Sequence, residues 1–328
     1  MKLRIAVVGV VLACAGIVAA TTSPLAQAQA YPARPVKLVV PYPPGGSADI
    51  LGRAIGQKLS DQLGQPVVVE NRPGAGTAVG TEFVARSPAD GYTLLLGTVS
   101  SHAMNPALST KLGYDPVKDF APIAPVATIP FVLVLHPSVP AQTVKEFVDH
   151  AKTRPGTINY SSAGNGTSNH LAGELFNLMA GISMTHVPYK GSAPALQDLI
   201  AGHVQAMFDL LPTALPRIQA GSVKPIAVTS GTRVAGLPNV QTLKEAGYPD
   251  YEVTAWFGIF APAGTPPAIV GRLHEETTKA LASSELKAKL GPLGMETMQG
   301  SPQSFSRLVA SDLDKWRGVV KSAKIQAE

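Results

Sequence analysis

Apolar residues along this chain come in two alternating rhythms. Short unbroken runs, Pro35-Val36-Lys37-Leu38-Val39-Val40-Pro41 and Pro66-Val67-Val68-Val69-Glu70, read as strands buried on both faces. Between them Ile50, Leu51, Ile55, Leu59 and Leu63 recur at near-helical spacing, and Gly64 marks the stop. The same alternation continues: a helix near 78–86, a strand over 92–96, and a second series opening at Phe131-Val132-Leu133-Val134-Leu135. That series holds a capping box at Thr143-Val144-Lys145-Glu146, strands over 157–161, 204–209 and 224–229, and helices over 169–180 and 193–201. Helices near 267–282 and 304–322 close the chain. Strands separated by helices predict open, mainly parallel sheets covered on both faces. Two such series followed by a helical tail predict two lobes crossed more than once, with Ala121-Pro122-Ile123-Ala124-Pro125 and the segment Tyr251 to Phe257 as candidate crossovers.

The N-terminus breaks this rhythm. Lys2 and Arg4 precede an apolar run from Ile5 to Ala20, and Ala26-Gln27-Ala28-Gln29-Ala30 supplies an A-x-A site. That is the layout of a cleaved secretory signal over residues 1–30. Val11-Leu12-Ala13-Cys14 loosely resembles a lipoprotein processing site, so lipidation at Cys14 is the alternative. Cleavage after Ala30 removes the one cysteine of the chain, which excludes thiol nucleophiles and thiolate metal sites from the exported protein. No later apolar stretch is long enough to span a bilayer, which predicts a periplasmic location. Of the 328 residues 45% are hydrophobic, which excludes disorder, and the length favours two domains. The net charge is +5, but its basic residues are scattered rather than striped, which excludes nucleic acid as a partner.

Candidate chemistry lies in the loops after strands, where open α/β sheets bind ligands. Tyr42-Pro43-Pro44-Gly45-Gly46-Ser47-Ala48-Asp49 leads directly into a helix whose first N–H groups suit an anion, with Ser47 placed to cap it. Asn71-Arg72-Pro73-Gly74-Ala75-Gly76-Thr77 offers G-x-G, but without the spacing of a dinucleotide fingerprint, and reads as a glycine-lined wall. Ser161-Ser162-Ala163-Gly164-Asn165-Gly166-Thr167-Ser168-Asn169-His170 mirrors the first loop in the second series. Two helix ends facing each other could hold one carboxylate between them. Ser100, Ser101 and His102, then Tyr189, Lys190 and Asp209, are further candidates for the same cleft. Ser168, His170 and Asp209 contain the residue types of a hydrolase triad, yet no G-x-S-x-G elbow is present. The histidines show no close ligand spacing. No catalysis, metal or cofactor is expected.

Tyr42-Pro43-Pro44-Gly45-Gly46-Ser47-Ala48-Asp49, Glu70-Asn71-Arg72-Pro73-Gly74-Ala75-Gly76 and Asp90-Gly91-Tyr92-Thr93-Leu94 closely resemble the tripartite tricarboxylate transporter substrate-binding family, also called the Bordetella uptake gene family. Val187-Pro188-Tyr189-Lys190-Gly191, Phe208-Asp209 and Phe260-Ala261-Pro262-Ala263-Gly264-Thr265-Pro266 match it as well, so the likeness runs from residue 31 to 328. The resemblance implies a two-lobed α/β fold like type II periplasmic binding proteins, with a cleft between the lobes. It implies lobe I over 31–130 plus 253–328 and lobe II over 131–252. It further implies a periplasmic receptor, monomeric, that captures a small organic acid (a di- or tricarboxylate, acidic amino acid or aromatic acid). Delivery would be to a membrane permease of one large and one small subunit. The family's carboxylate-holding role carries over to Gly45, Gly46, Ser47, Thr167 and Ser168, within the loops Tyr42 to Asp49 and Gly164 to His170, so Gly166 is included. Gly76, Thr77 and Asp209 match cleft-lining positions. Ser100, Ser101, Asn165 and Tyr189 are expected at the end of the cleft that selects the ligand. A sensory receptor feeding a two-component kinase is the alternative, distinguished by the neighbouring gene.

Overall fold

The computed structural model describes residues 31–109 and 111–325. The expected signal segment 1–30, with Cys14, lies outside the described residues. Strand β1 (Val36–Val40) lies between β2 (Val67–Asn71) and β3 (Thr93–Thr98), parallel to both. Helix α1 (Ser47–Leu63) follows β1 and buries Leu51, Ile55, Leu59 and Leu63, the predicted stripe, and Gly64 ends it in the left-handed conformation. It starts three residues earlier than the apolar spacing predicts. Helix α2 (Ala78–Ala85) follows β2, and a π-type turn over Ser100–Met104 runs from β3 into the short α3 (Asn105–Leu108).

Strand β4 (Phe120–Leu135) is 16 residues long and belongs to both halves of the molecule. Its first part, Phe120–Pro130, pairs antiparallel with β9 (Thr254–Pro262), which also pairs antiparallel with β3. Its second part, Phe131–Leu135, runs antiparallel to β7 (Ala206–Leu210) on one side and β8 (Lys224–Val228) on the other. Beyond β7 lie β5 (Asn159–Ser162) and β6 (Thr185–Pro188), both in parallel pairings. The result is a two-lobed α/β fold with two sheets sharing one strand. The sheets are mixed rather than mainly parallel, because β9 runs against β3 and β4 in the first and β4 runs against β7 and β8 in the second. The Pro-rich segment Ala121–Pro125 is not a linker but part of β4. Its prolines cannot donate to the ladder, and the register slips between Pro122 and Ala124 and again between Pro125 and Ala127.

One residue fastens the place where the two sheets meet. The fully buried Thr229 accepts the Phe131 N–H at 2.9 Å through Oγ1 and donates that hydroxyl to the Val253 carbonyl at 2.6 Å. Its own N–H goes to the Phe131 carbonyl, and its carbonyl accepts from Val253. Both chain segments that pass between the sheets are therefore tied to one point.

Helices cover the second sheet as well. Helix α4 (Val144–Lys152) is capped by Thr143, whose side chain accepts the Glu146 N–H, while the Glu146 carboxylate reaches the Gln142 N–H. Helix α5 (Ser168–Ala180) follows β5, α6 (Ser192–Ile200) follows β6, and α7 (Leu211–Gln219) follows β7 directly. The C-terminal α8 (Pro267–Ala282), α9 (Ser284–Leu290) and α10 (Pro302–Ala323) return to the first lobe around the short β10 (Glu296–Thr297). Among the described residues no helix is long and apolar enough to cross a membrane.

The packing of α10 shows how the first lobe holds its tail. Phe305, Val309, Leu313 and Trp316 form its buried stripe. Gly97 of β3 and Gly258 of β9 face each other across the sheet, leaving a hollow. Phe260, His102 and Phe305 fill it, with the His102 and Phe260 rings stacked at 4.0 Å. His102 therefore belongs to the core, and burial pushes it down to about 3, so the ring is neutral. A Cβ at Gly258 would lie 2.1 Å from the Phe305 ring and 2.9 Å from the Ala124 carbonyl. Gly258→Ala should thus lose about 1–3 kcal/mol in urea unfolding. Gly318→Ala, on the exposed face of α10 with nothing near its Cβ position, should gain up to about 1 kcal/mol. Equal midpoints for the two variants would refute this account.

Candidate functional site

Three helix N-termini converge on one small enclosed space. Gly46 precedes α1, Thr167 precedes α5 and Gly191 precedes α6, and none of the three ends has a side-chain cap. The space has a volume of about 20 Å³, room for about one water. Gly46, Ser47, Ser168 and Ser192 line it from these helices, with Tyr42, Thr98 and Phe257 among the walls. Ser47 is not the cap that the sequence suggests: it is the first helical residue, 3% exposed, and its Oγ has no hydrogen-bond partner. Ser168 likewise follows the cap position, which Thr167 occupies. A buried hydroxyl without a partner, beside uncapped N–H groups, is suited to an acceptor that arrives from outside.

The loop that carries Ser47 is braced from beneath. Asp49 accepts from the Gly45 N–H at 3.0 Å, from Arg53 and from Asn71, and Asn71 also donates to the Tyr42 carbonyl. Burial opposes ionisation of Asp49, but Arg53, the Gly45 N–H and Asn71 together hold its carboxyl below the ordinary carboxylate range. Asp49 therefore shapes the loop and lines neither cavity. In the second lobe the Thr167 hydroxyl donates to the Gly164 carbonyl, and Ser162 accepts the Gly164 N–H. The Gly166 N–H goes to His170 Nδ1 at 3.2 Å, while the His170 ring stacks on His186 at 3.9 Å. Burial, with His170 alongside, pushes His186 down to about 3.

Around the cleft the loops of the two lobes touch one another. The Ser168 N–H donates to Ser100 Oγ at 2.9 Å, so the first N–H group of α5 is met from the opposite lobe. A Cβ at Gly76 would lie 2.1 Å from the Asn165 carbonyl, and one at Gly166 would lie 2.7 Å from the Asn105 side chain. Gly191 packs on Pro43 at a similar distance. Gly76 and Gly166 both have positive φ, so side chains are disfavoured there on two counts. Asn105, which the sequence analysis missed, also donates to the Ala75 and Gly76 carbonyls. Nothing local in the sequence marks it, because its role is a contact between distant loops.

A second, larger cavity of about 820 Å³ opens beside the enclosed one, and Tyr42 and Pro43 border both. Gly76, Thr77, Asn165 and Tyr189 line it. The Tyr189 hydroxyl donates to Asp198 at 2.6 Å, and burial with that carboxylate pushes the tyrosine up to about 12. Two other candidates lie apart from both spaces. Ser101 bonds to the Thr98 backbone and to His102, closing the turn after β3. Asp209, fully buried at the end of β7, accepts from the Thr213 hydroxyl at 2.7 Å through Oδ2, while Oδ1 has no partner. Its partner is thus a threonine and not a histidine, unlike the acid of a hydrolase triad. Residues that line the enclosed space and escaped the sequence analysis as site residues are Thr98, Asn169 and Ser192.

Two α/β lobes on a shared strand, meeting at a cleft edged by helix N-termini, define the periplasmic binding protein architecture. Residues 51–325 match the model of the tripartite tricarboxylate transporter family receptor. Protein BugT of Bordetella pertussis is 37% identical over 322 residues, which cover 98% of this chain and 97% of BugT. Among solved structures, R. palustris Rpa4515 with adipate is 40% identical, with a TM-score of 0.87 over 90% of this chain and 99% of that one. MatC from Rhodopseudomonas palustris with bound malate is 34% identical, with a TM-score of 0.85 over 88% and 100%. The chain belongs to the tripartite tricarboxylate transporter receptor family.

Asp209 gives this region a measurable pH signature. Burial pushes its carboxyl up to about 7, against partial relief from the Thr213 hydroxyl and the Leu210 N–H. With a folded value above the unfolded one, the native state holds the extra proton, so stability falls as pH rises from about 4 to 7 and then levels off. Asp209→Asn should remove that fall, so its advantage in Tm over the wild type should grow across this window. A constant difference from pH 4 to 8 would rule the assignment out.

Proposed function

We propose that this protein is an exported receptor that captures a small organic carboxylate between its lobes and presents it to the membrane subunits of a tripartite tricarboxylate transporter. The observation that carries the reading is the buried, unpartnered Ser47 Oγ among three helix N-termini whose cap residues offer no side-chain bond. Fixed amide donors hold a carboxylate without a full counter-charge, each helix end contributing about 0.3–1 kcal/mol exposed and up to about 2 when partly buried. Weak half-sites on separate lobes suit a carrier, because opening divides them and releases the ligand. No step of chemistry is needed. Relatives solved with adipate and with malate support an acid as the ligand.

A carboxylate is larger than one water, so it enters the enclosed space as the lobes part. The parting turns on the segments tied by Thr229, between Pro130 and Phe131 and between Val253 and Thr254. On this reading lobe I comprises residues 31–130 plus 253–328 and lobe II residues 131–252. Residues 1–30 direct export and are removed, and the receptor works as a monomer in the periplasm.

Ser47→Ala should weaken carboxylate binding about tenfold or more, the effect of losing a hydrogen bond to a charged group. Gly76→Ala should fold, yet show no ligand-induced rise in Tm, because its Cβ meets the Asn165 carbonyl when the lobes close. Calorimetry and thermal shift with adipate and malate test both. Full ligand response in the two variants would sink the proposal.

A further inference from the structure

Helix α5 begins without a cap of its own. Thr167, at the cap position, turns its hydroxyl back to the Gly164 carbonyl at 2.6 Å, and its side chain accepts nothing from the helix. The first N–H groups of a helix have no partner within it, and one of them ordinarily goes to the side chain of the residue before. Here the Ser168 N–H, the first of α5, goes to Ser100 Oγ of the other lobe at 2.9 Å. Both residues are buried, Ser100 completely.

Ser100 is held firmly in place. It opens the π-type turn after β3, a distortion that recurs at functional sites, and its carbonyl accepts the Asn105 N–H. The next side chain, Ser101, accepts the Thr98 N–H and donates to the Thr98 carbonyl. The Ser101 carbonyl accepts the Tyr114 hydroxyl at 2.6 Å, and His102 lies stacked in the aromatic core. The Ser100 side chain also bonds to the Tyr42 hydroxyl, in the loop that leads to Ser47. A single hydroxyl thus stands between the loop before α1 and the start of α5.

We propose that Ser100 is a positioning residue that caps α5 from the opposite lobe, so that the second half-site is aligned only while the lobes are together. The inference rests on the proposed carboxylate seat and concerns how long that seat stays closed. Ser100 acts through Ser168 and through the helix end that it sets in place. The bond joins residues of different lobes, so it forms after the solute has arrived and must break before the solute leaves. Its loss speeds release and spares capture.

Stopped-flow kinetics with adipate and malate measure this. Ser100→Ala should raise koff about three- to thirtyfold, the range of a lost cap. The value of kon should stay within about twofold, as affinity differences between related complexes lie mostly in release. The partner of Ser100 is a backbone group, and proline removes it. Ser168→Pro and Ser168→Ala both lack the hydroxyl, but only the proline lacks the N–H. Proline suits the first position of a helix, and Thr167, with φ −78° and ψ 163°, already has the extended backbone that a following proline requires. With Ser100 present, koff should be higher for Ser168→Pro than for Ser168→Ala by a factor like that of Ser100→Ala. With Ser100→Gly, which removes the hydroxyl and leaves room for the ring, the two should differ by less than about twofold. A purely structural role for Ser100 gives additive effects instead. Additive effects, or an unchanged koff in Ser100→Ala, would overturn the positioning role. If an acid binds and Ser47→Ala weakens it while the effects at 100 and 168 add, only this inference fails. If neither acid binds the wild type, the carboxylate seat itself fails and the inference with it.

Discussion

Strand β4 serves two sheets at once, and that sharing constrains the rest of the molecule. Its first part is committed to β9 and its second to β7 and β8, so the lobes cannot separate without bending one continuous strand. Thr229 binds this part of the strand to the return segment at Val253. The cleft lies where the loops after β1, β2, β3, β5 and β6 meet. Gly76 lies against Asn165, Gly166 against Asn105 and Ser168 against Ser100 across it.

The proposed site follows from the same economy. Its donors are backbone groups at helix starts, whose positions are set by the strands that lead into them. No arginine needs to be desolvated to hold an anion there, so the cost of burying an uncompensated cation does not arise. What remains exposed to choice is the outer part of the cleft, where side chains and not backbone provide the contacts.

Much of the architecture was legible in local patterns. The α1 stripe, its stop at Gly64, the Thr143 cap and the loops that begin α1 and α5 all depend on neighbours within a few residues. The strand content of Ala121–Pro125 was not, because prolines argue against a strand and only pairing with β9 overrides them. The role of Asn105 and the burial of His102 were hidden for a related reason: each depends on partners far away in sequence. Ser47 was found from the resemblance as a carboxylate holder, but from the local pattern as a cap. The distinction between a cap and a first helical residue with a spare hydroxyl rests on one backbone step, which no propensity resolves. The loop glycines were read as room for a ligand; Gly76 and Gly166 also make room for the opposite lobe.

The brace under the first loop bears on speed. Asp49 fixes Gly45 and, with Arg53 and Asn71, holds the loop from within lobe I alone. These hydrogen bonds are all made within its own lobe. On the proposed reading, an arriving carboxylate meets a first loop that its own lobe has already arranged. Association should then proceed at a rate set by diffusion, leaving the lifetime of the complex to the lobes.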